Sequence, residues 1–195
     1  NPLNQNLSSE ILKSIEERYV GIYSNDLIKG SGMQIDKNGY IITAYHVIQE
    51  IQPNEIKVSM DDKTFYSVEL ARIDKSKDLA LLKSDLKINA DFPQMEEQEN
   101  LFNAEPIMLI GAPYELKKSF LKGYISNTKR ENLDSSFPDI PFIQTHGTSY
   151  PGCSGGGVFL FNGKFIGINR ATYGNSYGNS IGLVIPAIII KEFIK

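Results

Sequence analysis

Residues 149–159, SYPGCSGGGVF, set a cysteine beside a serine ahead of three glycines. Small residues packed this tightly suit a backbone that turns sharply and passes close to something. Cys153 or Ser154 could attack from such a loop, and a plain glycine-rich turn would look the same. A serine hydroxyl is a poor nucleophile near neutral pH. It needs a base, and an imidazole with a pKa near ~6.5 suits that task. The chain has two histidines, so the base would be His46, in IITAYHVI, or His146, in QTHGTS. A carboxylate behind the imidazole would fix its tautomer and stabilise the imidazolium. Asp78, in SKDLALL, is the first candidate and Asp74 a distant second. Each signal alone is weak, because a lone histidine is more often structural and an aspartate before a strand is usually a turn residue. His46, Asp78 and Ser154 lie in three separate segments, as a triad assembled in space requires.

These groups need a scaffold, and the composition supplies one. The chain has 195 residues, of which 41% are hydrophobic and 22% charged, within the range of a soluble globular protein. The net charge of −3 and the scattered lysines argue against nucleic acid as a partner, since little would drive counterion release. One cysteine excludes an internal disulfide, and without a Cys/His cluster no metal or other cofactor is expected. The longest apolar run, GLVIPAIII, is too short to span a bilayer, so no membrane insertion is expected. The sequence begins at Asn1 without a signal-peptide pattern. That fits a processed or trimmed chain, exported or extracytoplasmic once a targeting segment is removed, and leaves the compartment open.

Ser8 or Ser9 could cap an opening helix with Ile11, Leu12, Ile15 and Tyr19 on one face. Strand patterns follow at 19–23, 32–35, 40–43, 56–60, 65–73 and 79–83, with Asn38-Gly39 as a hairpin signal. The polar, acidic stretch after them shows no strand period. A second group lies at 106–110, 120–126, 142–145, 158–161, 164–169 and 182–185, with Asn162-Gly163 at another tight turn. PAIIIKEFIK then reads as a short helix. Many short strands with regular turn signals point to β-barrels or a sandwich, and two similar strand counts favour two barrels. The expected fold is all-β: two packed antiparallel six-stranded β-barrels with short N- and C-terminal helices. The chain divides into an N-terminal helical segment (1–18), a first β-barrel (19–90), an inter-barrel linker (91–103), a second β-barrel (104–187) and a C-terminal helix (188–195). The small repeat YGNSYGNS, residues 173–180, reads as a surface loop.

The stretches GSGMQIDKNGYIITAYHVI, DLALLK, LIGAPYELKKSFLKGYIS, IQTHGTSYPGCSGGGVF, GKFIGINRA and IGLVIPA resemble a chymotrypsin-fold (trypsin-like) serine peptidase, most of all the HtrA/Deg branch. They cover most of residues 30–187 in that family's order. The resemblance implies perpendicular barrels with the active site in the cleft between them. It implies His46 as base, Asp78 behind it and Ser154 forming the acyl-enzyme. Gly152 and Ser154 would supply the oxyanion-hole N–H groups, with Cys153 between them in the loop. In the related cysteine enzymes the nucleophile stands where Ser154 stands, so Cys153 takes the position before it and reads as a small packed residue. Digestive-type relatives carry there an aspartate that pairs with a newly cut N-terminus. Cys153 cannot, so no activating cut is expected.

Thr148, Ser149 and Tyr150, with Asn169, Arg170 and Ala171, are expected to line the substrate-binding pocket. Thr148 stands about where a basic-specific enzyme has aspartate, and Asn169 where glutamate-specific relatives have histidine. A small or medium apolar residue on the acyl side of the cut is therefore expected. Arg170 could draw an acidic side chain or be solvated, and His146 could line the pocket or be structural. YGNSYGNS could cover the pocket. The substrate would be a protein or peptide. HtrA-like relatives imply a homo-oligomer, a trimer if the chain follows that branch, and often carry a PDZ domain beyond the peptidase unit. The competing readings are an inactive peptidase-fold binding module and a narrow-specificity processing or toxin-like protease.

Overall fold

The computed structural model describes residues 7–172 and 181–195, so the YGNSYGNS repeat lies outside the described residues. Helix α1 spans Ser9–Glu16, and Ser8 caps it by accepting a hydrogen bond from the Ile11 N–H at 3.2 Å. Ile15 is buried, while Tyr19, expected on the same face, opens the first strand instead.

Six strands follow: β1 Tyr19–Ser24, β2 Leu27–Gln34, β3 Tyr40–Ala44, β4 Lys57–Ser59, β5 Tyr66–Asp74 and β6 Leu79–Ser84, with the single-turn helix α2 Tyr45–Ile48 after β3. They close into a barrel in the order β1-β2-β3-β6-β5-β4. The second set is β7 Pro106–Gly111, β8 Ser119–Arg130, β9 Phe142–His146, β10 Gly157–Leu160, β11 Phe165–Thr172 and β12 Ile181–Pro186. Its order, β7-β8-β9-β12-β11-β10, repeats that of the first barrel. Helix α3, Ala187–Phe193, begins one residue earlier than expected and stops short of the C-terminus.

Full closure removes exposed strand edges, and the cores follow from it. Val20, Ile22, Ile41, Val58 and Leu82 fill the first barrel, and Ile107, Leu109, Ile125, Val158 and Val184 fill the second. The largest cluster lies between the barrels. Met33, Ile42, Leu79 and Leu81 from the first meet Met108, Ile110, Phe142, Phe159, Phe165 and Leu183 from the second, with Ile15 of α1 and Phe193 of α3 joining them. That packing makes the seam a fixed surface.

Two expectations need adjustment. β2 starts five residues before the anticipated position, because its first part is an exposed ribbon and Gly30 and Gly32 interrupt its apolar pattern. The stretch read as an inter-barrel linker is tied down: the Phe165 N–H bonds the Gln94 carbonyl at 2.8 Å and the Glu96 N–H bonds the Phe165 carbonyl at 3.1 Å.

Candidate active site

Asp78 ends the turn between β5 and β6 with φ +54, a left-handed conformation that aspartate tolerates better than most residues. The turn aims its buried carboxylate at α2. The Asp78 carbonyl accepts from the Tyr45 N–H at 2.9 Å, Oδ1 accepts from the His46 N–H at 2.9 Å, and Oδ2 lies 2.7 Å from His46 Nδ1. A carboxylate only accepts, so Nδ1 carries a proton, and in the neutral ring the lone pair is on Nε2. The His46 ring is half-buried. Asp74, the second candidate, instead accepts from Ser76 Oγ and the Lys77 N–H.

Ser154 is held through its backbone. Its carbonyl accepts from the Ser31 N–H at 2.8 Å, and Ser31 Oγ donates to the Gly152 carbonyl at 3.0 Å. Thr43 Oγ1 in turn donates to the Ser31 carbonyl at 2.8 Å. Ser31 thus joins the strand that leads into His46 to the loop that carries Ser154. A Cβ at Gly30 would meet both Val47, the neighbour of His46, and the Ser154 carbonyl, at 2.8 and 3.1 Å, so the two segments face each other across β2. The Ser154 hydroxyl makes no hydrogen bond to His46 or to any other described residue. In unliganded sites such bonds are commonly long and tighten with substrate.

The glycines have specific tasks. The Cys153 N–H bonds the Tyr150 carbonyl at 2.9 Å, which closes a turn with Pro151 second and Gly152 third at φ +94. That is the type II pattern. The Pro151 carbonyl accepts from the Tyr114 N–H at 2.7 Å. Across a trans peptide the N–H points opposite to the carbonyl, so the Gly152 N–H faces away from Tyr114. A Cβ at Gly152 would lie 2.1 Å from the Ala112 carbonyl oxygen. At Gly155, φ +84, it would lie 2.0 Å from the Ser31 carbonyl oxygen. Glycine is what lets the loop dock.

Cys153 is fully buried in the second-barrel core, and burial pushes its thiol up to about 11. It stays a neutral thiol at physiological pH, unlike a reactive cysteine.

Thr148 and Ser149 are fully buried, and Thr148 Oγ1 bonds Thr145 Oγ1 at 3.2 Å. Tyr150 is half-buried, its ring 6.0 Å from that of Tyr114. The Asn169 side chain is buried, with no hydrogen-bond partner for either of its polar atoms among the described residues, while its backbone bonds Gly155 and Gly156 at 2.7 and 2.9 Å. Ala171 lies in β11 opposite Leu183. Arg170 is half-buried and already paired: Nε bonds Asp78 Oδ2 at 3.2 Å and Nη1 bonds Asp134 Oδ2 at 3.1 Å. His146 is exposed, its ring 5.2 Å from that of Tyr124.

Ser31, Tyr114 and Asp134 escaped the sequence reading. Ser31 sits in a G-S-G run, a weak hint of close backbone approach, and the other two carry no local signal. Among the described residues, no group of three or more His, Cys, Asp or Glu side chains converges as metal ligands.

Two closed six-stranded barrels with a carboxylate, an imidazole and a glycine-cradled serine loop at their seam define a trypsin-like peptidase. A model of the trypsin-like peptidase domain matches residues 30–168, and the chain belongs to that family. Its homologues are HtrA/DegP-like serine endoproteases. The chain is 32% identical over 171 residues to the DegP-like periplasmic serine endoprotease of Chlamydia muridarum, covering 87% of this chain and 33% of that one. It is 35% identical over 170 residues to the counterpart from Pseudomonas putida, covering 85% and 34%. The chain thus spans about a third of the length of these curated relatives. Among solved structures, the HtrA-type protease AlgW with a tripeptide superposes with a TM-score of 0.84 at 28% identity, covering 95% of this chain and 62% of that one. The fold is chymotrypsin-like.

Proposed function

We propose that this chain is a serine endopeptidase that cleaves peptide bonds through an acyl-enzyme on Ser154. The observation that carries the reading is the 2.7 Å contact of His46 Nδ1 with Asp78. It leaves Nε2 as the base for the Ser154 hydroxyl. His46 takes that proton as Ser154 Oγ bonds the substrate carbonyl carbon, then returns it to the leaving amine. Asp78 holds the ring and stabilises the imidazolium. The Gly152 N–H, turned away from Tyr114, and the Ser154 N–H are the donors to the oxyanion, with Cys153 as the buried anchor between them. A water activated by the same ring then releases the acyl group.

The substrate is a protein or peptide. Thr148, Ser149 and Asn169 bring no charge to the specificity pocket, and two carboxylates engage the guanidinium of Arg170. These features support a small or medium apolar residue on the acyl side of the cut, such as Val, Ala or Leu. The test is cleavage of an unfolded protein and a peptide library, with products read by mass spectrometry. Cuts after such residues, lowered by about 10⁶-fold in Ser154→Ala, are the expected result. Equal cutting by the variant would remove Ser154 from the mechanism, and a preference for charged residues would overturn the pocket assignment.

A further inference from the structure

Arg170 occupies an irregular place. In β11, Asn169 pairs with Val184 of β12 and Ala171 with Leu183, so Arg170 is the extra residue of a β-bulge. Bulges interrupt strand alternation and re-aim a side chain. Here the guanidinium reaches across the seam to Asp78 of the first barrel while also bonding Asp134, on the segment between β8 and β9. Its central carbon sits 4.2 Å from the centre of the Phe137 ring on that same segment. The residue before it, Asn169, clamps Gly155 and Gly156 through its backbone. Adjacent residues of one strand therefore hold the nucleophile loop and the carboxylate turn, which belong to opposite barrels.

We propose that Arg170 is a positioning residue of the reaction: it aligns Asp78 for His46, and Asp134 with Phe137 brace it there. The proposal rests on the triad reading above. Asp78 Oδ2 serves both His46 Nδ1 and Arg170 Nε, so the guanidinium restrains the rotation that would carry Oδ2 off the ring. A lone cation beside Asp78 would weaken the carboxylate's hold on a protonated imidazole. Asp134 offsets this, because two carboxylates and one guanidinium leave one net negative charge, as a solitary Asp78 would. Arg170 thus adds geometry without cancelling the charge that the imidazolium needs. A planar fork can bond two carboxylates at once, whereas an ammonium is a point charge that cannot reproduce the arrangement.

The test compares kcat and KM on one fluorogenic peptide for the wild type, Arg170→Ala, Arg170→Lys and Asp134→Asn, with thermal midpoints measured alongside. Misplacing a catalytic group by ~1 Å can cost about 10²-fold, and Arg170→Ala is expected to lose that much in kcat. Its KM should stay within about twofold of the wild type, the pattern of an interaction that matters in the transition state. Millimolar ethylguanidinium should restore part of the kcat of Arg170→Ala and leave the wild type unchanged. Arg170→Lys should stay well below the wild type, and Asp134→Asn should lose several-fold in kcat. If Arg170→Ala fails to fold, Arg170→Lys and Asp134→Asn decide: near-wild-type kcat in both overturns the proposal. So does a kcat for Arg170→Ala within about twofold of the wild type, a loss confined to KM, or a loss without rescue. A wild type that neither cleaves nor reacts at Ser154 would instead sink the triad reading beneath it.

Discussion

The first barrel brings the base and its carboxylate to the seam, and the second brings a nucleophile loop that is held through its peptide groups. Asp78 and His46 are positioned by bonds that end on a carboxylate or a ring nitrogen: Oδ1 to the His46 N–H, Oδ2 to Nδ1. In the nucleophile loop of the second barrel the holding bonds end on main-chain atoms. The Ser154, Gly152 and Pro151 carbonyls are each captured, by the Ser31 N–H, Ser31 Oγ and the Tyr114 N–H. One barrel sets a proton's path, and the other sets the direction of peptide planes. The difference teaches where each side is vulnerable. The first barrel should fail through the chemistry of one side-chain atom, and the second through anything that rotates a peptide.

Three substitutions probe that contrast. Asp78→Asn changes one atom of the carboxylate and little shape. It offers Nδ1 an amide in place of an acceptor and favours the wrong tautomer, so kcat should fall by about 10⁴-fold while the fold survives. A loss below tenfold would mean that the first barrel contributes shape only. Gly152→Ala tests the other side without touching a reacting side chain. The Cβ would clash with the Ala112 carbonyl, and φ +94 is strained for alanine. The turn should rearrange and the Gly152 donor be lost, for about 10²- to 10³-fold in kcat. Retention of kcat would show that this N–H is not an oxyanion donor. Ser31→Ala should act least. It removes one hydrogen bond to the Gly152 carbonyl while the backbone bond to Ser154 remains, and a typical bond contributes about 1 kcal/mol. A several-fold drop in kcat is expected, and a larger drop would mean that the Gly152 peptide depends on this one bond for its direction.

The sequence was most informative where chemistry is local. His46 after an apolar strand, an aspartate opening DLALL and a serine before glycines could all be named from residue type and order. The twelve strands were legible from short apolar runs and turn signals, because many of them are buried along nearly their whole length. The bonds between segments were not. Ser31 meets Gly152 only after both barrels close, and Tyr114 meets Pro151 only because two loops converge. Arg170 was read as a pocket wall or a solvated side chain. Its true direction depends on a one-residue register shift between β11 and β12, which is set by pairing and not by local pattern. Asp134, its second partner, sits in a polar stretch that gives no sign of facing the site.

Reaction with a fluorophosphonate probe, followed by mass mapping of the modified residue, tests the central claim most directly. The account predicts one adduct, on Ser154, formed by the wild type, strongly slowed in Asp78→Asn and absent from Ser154→Ala. An unreactive folded protein, or an adduct on Cys153 or elsewhere that persists in Ser154→Ala, would contradict it.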